Sequence, residues 1–150
     1  MVAPRALAGH GRVGLDTSLF IYTYEQTSPF TAAAMAVLRA VEQGHISGVI
    51  STLVLAELLV LPYRLRRHDL VSVYLRQLRS FPHLTVVAPD VEICQAGARL
   101  RAATPSLMLV DAIHLATALC ASATAFVTND ARIHSVEELA VLQLRTLRQS

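Results

Sequence analysis

The chain has 150 residues, 53% of them hydrophobic, and a formal charge of +2 at neutral pH. That length fits one domain with a sizeable core, and so small a net charge is not by itself a sign of nucleic-acid binding. All 13 basic residues are arginine, which excludes chemistry that needs a lysine amine, such as a P-loop or a Schiff base.

Residues 1–11 are expected to form a flexible lead-in to a single domain spanning 12–150. Arg12–Leu15 reads as a short strand that stops at Asp16, with Thr17 and Ser18 able to cap a helix through Leu19–Tyr24. Ser28-Pro29 opens a second helix that runs to about Gln43 and stops at Gly44. Ile46–Ile50 is a second strand. Ser51 or Thr52 caps a third helix, which carries Glu57 and is kinked or ended near Pro62. Leu70–Arg79 is an amphipathic helix, Leu84–Val87 a third strand, and Asp90 caps a helix to Arg101. Pro105-Ser106 opens the most apolar helix, Ala125–Thr128 is a fourth strand, and Val136–Leu139 a short helix. Leu142–Leu147 is a last strand or edge piece. Short β-branched runs alternating with longer helices define an α/β protein, with a parallel sheet covered by helices on both faces.

No apolar run reaches the ~18 residues that suggest a membrane span, and no apolar signal core precedes the first strand. Cys94 and Cys120 show no CxxC or zinc spacing and read as two buried, reduced thiols of a cytoplasmic protein. The arginine clusters at Arg64, Arg66, Arg67 and at Arg99, Arg101 read as solvated helix faces.

Four carboxylates stand apart from this background. Asp111 is the one formal charge between Arg101 and Asp130. Asp16 is alone between Arg12 and Glu25, and Glu57 is alone between Glu42 and Arg64. Asp130 closes the apolar run AFVTND. A carboxylate in apolar surroundings needs a compensating cation or hydrogen bonds. A single Asp after a strand usually caps the next helix, but four at comparable places have a second explanation. In an open parallel sheet, sites form beyond the carboxyl ends of the strands, and all four acids can point at that edge. With no lysine to separate them, a divalent metal ion is the economical partner.

The segments LDTSLFIY, STLVLAELL, LMLVDAIHLATAL and FVTNDARI, in this order and spacing, resemble the PIN-domain family, and more narrowly the VapC-type toxins of toxin–antitoxin pairs. The resemblance covers residues 13 to about 147. It implies a three-layer α/β/α sandwich with a central, mainly parallel sheet. It also implies an acidic pocket of Asp16, Glu57, Asp111 and Asp130 that holds Mg²⁺ or Mn²⁺ and hydrolyses RNA, leaving a 5′-phosphate and a 3′-hydroxyl. Asp16 and Asp111 would be the direct ligands, with Glu57 and Asp130 acting through water or a second ion. Thr17 and Thr128 match the hydroxyl positions beside the first and last acids. A cognate antitoxin and a homodimer are the implied partners, and the apolar positions of LLVLPYRLRR with Val71, Tyr74, Leu75 and Leu78 suggest a docking groove. This chain departs from the family in having Ile133 where an aromatic residue is common, and in lacking a Gly before the last strand. His114 follows Asp111 by three residues and is given no role. One alternative is a non-catalytic PIN-like module that binds RNA or protein. The other is an aspartyl-phosphate receiver or phosphohydrolase, whose families typically use a lysine that this chain lacks.

Overall fold

The computed structural model describes residues 3–147; the first two residues of the expected lead-in and the last three of the expected domain lie outside it. Five strands, β1 (Arg12–Leu15), β2 (Ser47–Ser51), β3 (Leu84–Val87), β4 (Ala125–Thr128) and β5 (Ala140–Gln143), form one sheet in the order β3-β2-β1-β4-β5. Every pairing is parallel. The chain steps outward from β1 to β2 and β3, then returns to place β4 on the other side of β1. Strand order therefore reverses between β1 and β4, where an open parallel sheet leaves a crevice at its carboxyl edge.

Side-chain alternation along the strands builds two cores, one on each face. Leu15, Ile50, Ala125 and Val127 join one cluster with side chains of α1 (Thr17–Glu25), α2 (Thr31–Glu42), α3 (Leu53–Arg64), α4 (His68–Arg79) and α7 (Leu144–Leu147). Val49 and Phe126 point the other way, into a cluster with α5 (Val91–Ala103) and α6 (Leu109–Cys120). The result is an α/β/α sandwich. Gly14 sets how closely α6 lies on the sheet: a Cβ there would come within 2.6 Å of the Ala118 Cβ and 2.7 Å of the Phe126 ring.

Several boundaries differ from expectation. Asp16, not Thr17 or Ser18, is the N-cap of α1, its Oδ1 accepting the Thr17 N–H at 2.8 Å. Ser28-Pro29 makes a turn that ends in α2 only at Thr31, with Ser28 Oγ accepting the Phe30 N–H. Pro105-Ser106 is likewise spent on a turn, and buried Leu107 anchors the chain before α6 begins at Leu109. Val136–Leu139 is a tight turn closed by two backbone bonds between its ends, not a helix, and Glu137 takes a positive φ of 47°. The last piece is strand and then helix: β5 starts at Ala140, and α7 buries Leu144 and Leu147.

Two other readings change, and the most apolar helix is not buried throughout. Cys94 and Cys120 are free but exposed, because they lie on the outer faces of α5 and α6. The first turn of α6 is not buried: Met108, Leu109 and Val110 are 58%, 55% and 41% exposed. Part of the lead-in packs on the domain, with a 3₁₀ turn at Arg5–Leu7 that buries Leu7 and a 2.7 Å contact from His10 to Thr124. Among the described residues no helix is long and apolar enough to cross a membrane.

Candidate active site

The carboxyl edges of β1 and β4 each deliver one acid. Asp16 directly follows β1 and is tied to β4 by its own N–H, which donates to the Val127 carbonyl at 3.0 Å. Asp130 lies two residues beyond β4, its N–H donating to Thr128 Oγ1 at 3.0 Å. The other two come from helices that meet the same edge. Glu57 is in the second turn of α3, which starts after Ser51 Oγ accepts the Leu53 N–H. Asp111 is in the first turn of α6, where no side chain caps the helix. All four acids line one cleft of about 550 Å³, together with Thr17, Ile21, Tyr22, Met108, Val110 and Arg132. The structure thus brings together every acid expected from the sequence.

Their electrostatic settings differ in pairs. Asp16 is 8% exposed, and burial raises its pKa above the ordinary carboxylate range, against the opposing hydrogen bond from Thr128 Oγ1 to Oδ2 at 2.6 Å. Asp111 is pushed up to about 6, first by burial and then by the charge of Asp16. Among the described residues neither forms an ion pair with a guanidinium, although Arg132 shares the cleft with Asp111. Glu57 is held below its ordinary value, chiefly by His114, whose Nε2 is 2.7 Å from Oε1, and also by the Thr17 hydroxyl that donates to the same oxygen at 2.7 Å. Asp130 is lowered by Arg132, which grips it at both oxygens. Protein groups hold two of the acids low; in Asp16 burial outweighs its hydrogen bonds, and in Asp111 burial and neighbouring acids prevail.

Thr17 and Thr128 hold the places expected of them: Thr17 bridges to Glu57, and Thr128 joins Asp16 to the Asp130 backbone. His114 and Arg132 were not assigned roles from sequence. His114 is buried, and its Nδ1 has no protein partner among the described residues. Its signal was the three-residue spacing from Asp111, which places both on nearly one helix face. Arg132 was legible as the one cation two residues after an acid at a strand end.

All four acids supply oxygen ligands, which suit Mg²⁺ or Mn²⁺. Among the described residues no three acidic, histidine or cysteine side chains converge tightly enough to form a metal cage. The donor set still fits Mg²⁺, which keeps several waters and commonly takes one or two carboxylates.

Fold and cleft together define a parallel α/β domain with an acidic centre at its topological switch point. The PIN domain model matches residues 13–139, and the chain belongs to that family. No curated protein matches the chain in sequence. Similar solved structures include VapBC2 of Rickettsia felis bound to a DNA fragment from its promoter, at TM-score 0.69 and 17% identity over 88% of this chain and 98% of that one. A toxin–antitoxin complex from Klebsiella pneumoniae gives 0.63 and 18% over 86% and 95%. FitAcB from Neisseria gonorrhoeae gives 0.63 and 19% over 89% and 98%. At these identities the likeness is one of fold.

Proposed function

We propose that the chain is a metal-dependent ribonuclease that acts as the VapC-type toxin of a toxin–antitoxin pair in the cytoplasm. One observation carries this reading: Asp16 and Asp111 sit together in one cleft with no ion pair among the described residues, while Glu57 is paired with His114 and Asp130 with Arg132. A divalent cation is the group that would relieve the first pair, so Asp16 and Asp111 are its proposed ligands. When bound, the ion supplies an acidified water and stabilises charge on the scissile phosphate. The residues supply position. Thr128 and the Thr17 N–H occupy lone pairs of Asp16 and fix its carboxylate. Thr17 and His114 both engage Oε1 of Glu57, leaving Oε2 to orient water at the phosphate.

Family membership supports nuclease activity, and the similar solved structures, which include toxin–antitoxin complexes, support an antitoxin partner. The proposed docking site is an apolar groove of about 300 Å³ lined by Ile21, Tyr24, Leu61, Pro62, Leu65 and Tyr74. The groove expected from sequence shifts accordingly. Val71 and Leu78 are core residues, whereas Leu61 and Leu65 are exposed. Ile21 lines both the groove and the acid cleft, so a bound antitoxin segment has a short path by which a basic side chain reaches the acids. The homodimer expected with this reading is tested by sedimentation.

The test is cleavage of end-labelled single-stranded RNA in Mg²⁺, in Mn²⁺ and in chelator. The account expects cleavage with metal only. If no RNA is cut with either metal, the chain is a non-catalytic PIN-like binding module.

A further inference from the structure

The Asp130 carboxylate is already taken. Arg132 donates from Nε to Oδ1 at 3.0 Å and from Nη2 to Oδ2 at 2.7 Å, and its backbone N–H adds a third bond to Oδ1 at 2.9 Å. Unlike Asp16, whose hydrogen-bond donors are neutral, Asp130 is held at both oxygens by a positively charged group, so a bound ion would have to displace the guanidinium from this acid. The Arg132 side chain is 67% exposed and lines the cleft beside the other three acids. Exposed ion pairs contribute little to stability, so this grip can open at small cost. A guanidinium fork matches a phosphate's oxygens as well as it matches a carboxylate's. It is the one arginine that lines the cleft among the described residues. Arg145 lies beyond, its Nη2 on the Asn129 carbonyl at 3.2 Å.

Resting on the ribonuclease reading above, we propose that Arg132 is a substrate-operated latch on Asp130. In the RNA-free chain it holds the carboxylate closed to metal. When RNA enters, the fork passes to nonbridging oxygens of the backbone phosphate, and Asp130 is freed for the ion or its waters. The exchange is between two anions for one cation. No bond is made or broken, and the short Asp-x-Arg spacing returns the arginine to Asp130 once product leaves. The latch couples the last acid of the site to occupancy by a phosphate.

The test uses Arg132→Ala, Asp130→Asn and the double variant, with Mn²⁺ affinity measured calorimetrically in the absence of RNA and kcat and KM measured at saturating Mn²⁺. Arg132→Ala should tighten Mn²⁺ binding by about threefold, because an exposed pair is lost. It should also raise KM for RNA by about tenfold, because a charge-assisted grip on phosphate is lost. In the Asp130→Asn background, Arg132→Ala should no longer tighten Mn²⁺ binding; a tightening that persists there comes from the local field alone and overturns the latch. Unchanged or weaker Mn²⁺ binding in Arg132→Ala makes the pair a structural staple and also overturns it. So does an unchanged KM. If the wild type cuts no RNA, the ribonuclease reading fails on its own. The substrate arm is then read from fluorescence anisotropy of labelled RNA in Mn²⁺, where unaltered binding by Arg132→Ala counts against the latch.

Discussion

Glu57 Oε1 accepts from two directions at once, from His114 Nε2 at 2.7 Å and from the Thr17 hydroxyl at 2.7 Å. His114 is therefore a positioning residue for Glu57. Its Nδ1 is buried without a protein partner, so replacing the ring by an apolar side chain removes an unsatisfied polar atom along with the useful bond. His114→Leu is expected to change the melting temperature little and to lower kcat by about tenfold, as losses of outer-shell partners commonly do. His114→Gln, which can keep a donor near Glu57, should recover part of that. A structural role alone would show the opposite pattern: a lower melting temperature and an unchanged kcat for the folded protein.

The pH dependence follows from the two acids whose pKa values are raised. Asp111 titrates at about 6 in the folded chain, above its ordinary 3.8, so the folded state binds this proton more tightly than the unfolded state. Metal-free stability should fall as pH rises from about 4 through 6. Glu57 and Asp130 are lowered, so they oppose this trend below about pH 5, where the unfolded acids still bind protons, and not above it. Cleavage should run the other way, rising through pH 6 as Asp111 loses its proton and becomes a ligand. Melting curves and rates at pH 5 and 7.5 check both signs.

Asp111→Asn removes the charge that burial and Asp16 both disfavour. The metal-free variant should melt about 2–4 °C higher than wild type, the shift expected for roughly 1 kcal/mol at this size. Mn²⁺ at about 100 times its Kd should raise the wild-type melting temperature by roughly 5–10 °C and the variant's by much less. Equal metal shifts in the two proteins would remove Asp111 from the ligand set.

Leu61 is 45% exposed and lines the apolar groove. Leu61→Glu should leave the isolated protein's melting temperature unchanged while weakening the antitoxin complex by about tenfold or more. The check is co-expression with the product of the neighbouring small gene, followed by an affinity measurement on the purified pair. A complex of undiminished affinity would move the docking site elsewhere.

The acids were legible in sequence because isolation in apolar runs has few explanations. Asp16, Glu57, Asp111 and Asp130 converge in one cleft as expected. The first four strands were nearly as plain, whereas the last was expected at Leu142–Leu147 and lies at Ala140–Gln143, ahead of a short helix. What escaped depends on contacts between distant residues. The bond from His114 to Glu57 spans 57 positions, and no local pattern announces it. Proline misled twice: at Pro29 and Pro105 the start of a helix was expected, but the chain uses each in a turn and begins the helix later. Val136–Leu139 has helical composition, yet its ends bond to each other across a left-handed Glu137. The cysteines were assigned to the core on residue type, but the helix phase turns both outward.

Asp16 is the acid on which the account most depends, because it is buried, joins β1 to β4 and touches Thr17 and Thr128. The direct measurement is cleavage of labelled single-stranded RNA by wild type and Asp16→Asn at equal concentration in Mn²⁺, with circular dichroism showing both folded. The account predicts cleavage by wild type and a loss of at least 100-fold in Asp16→Asn, in line with loss of a group that stabilises the transition state. Cleavage by Asp16→Asn at the wild-type rate would contradict it.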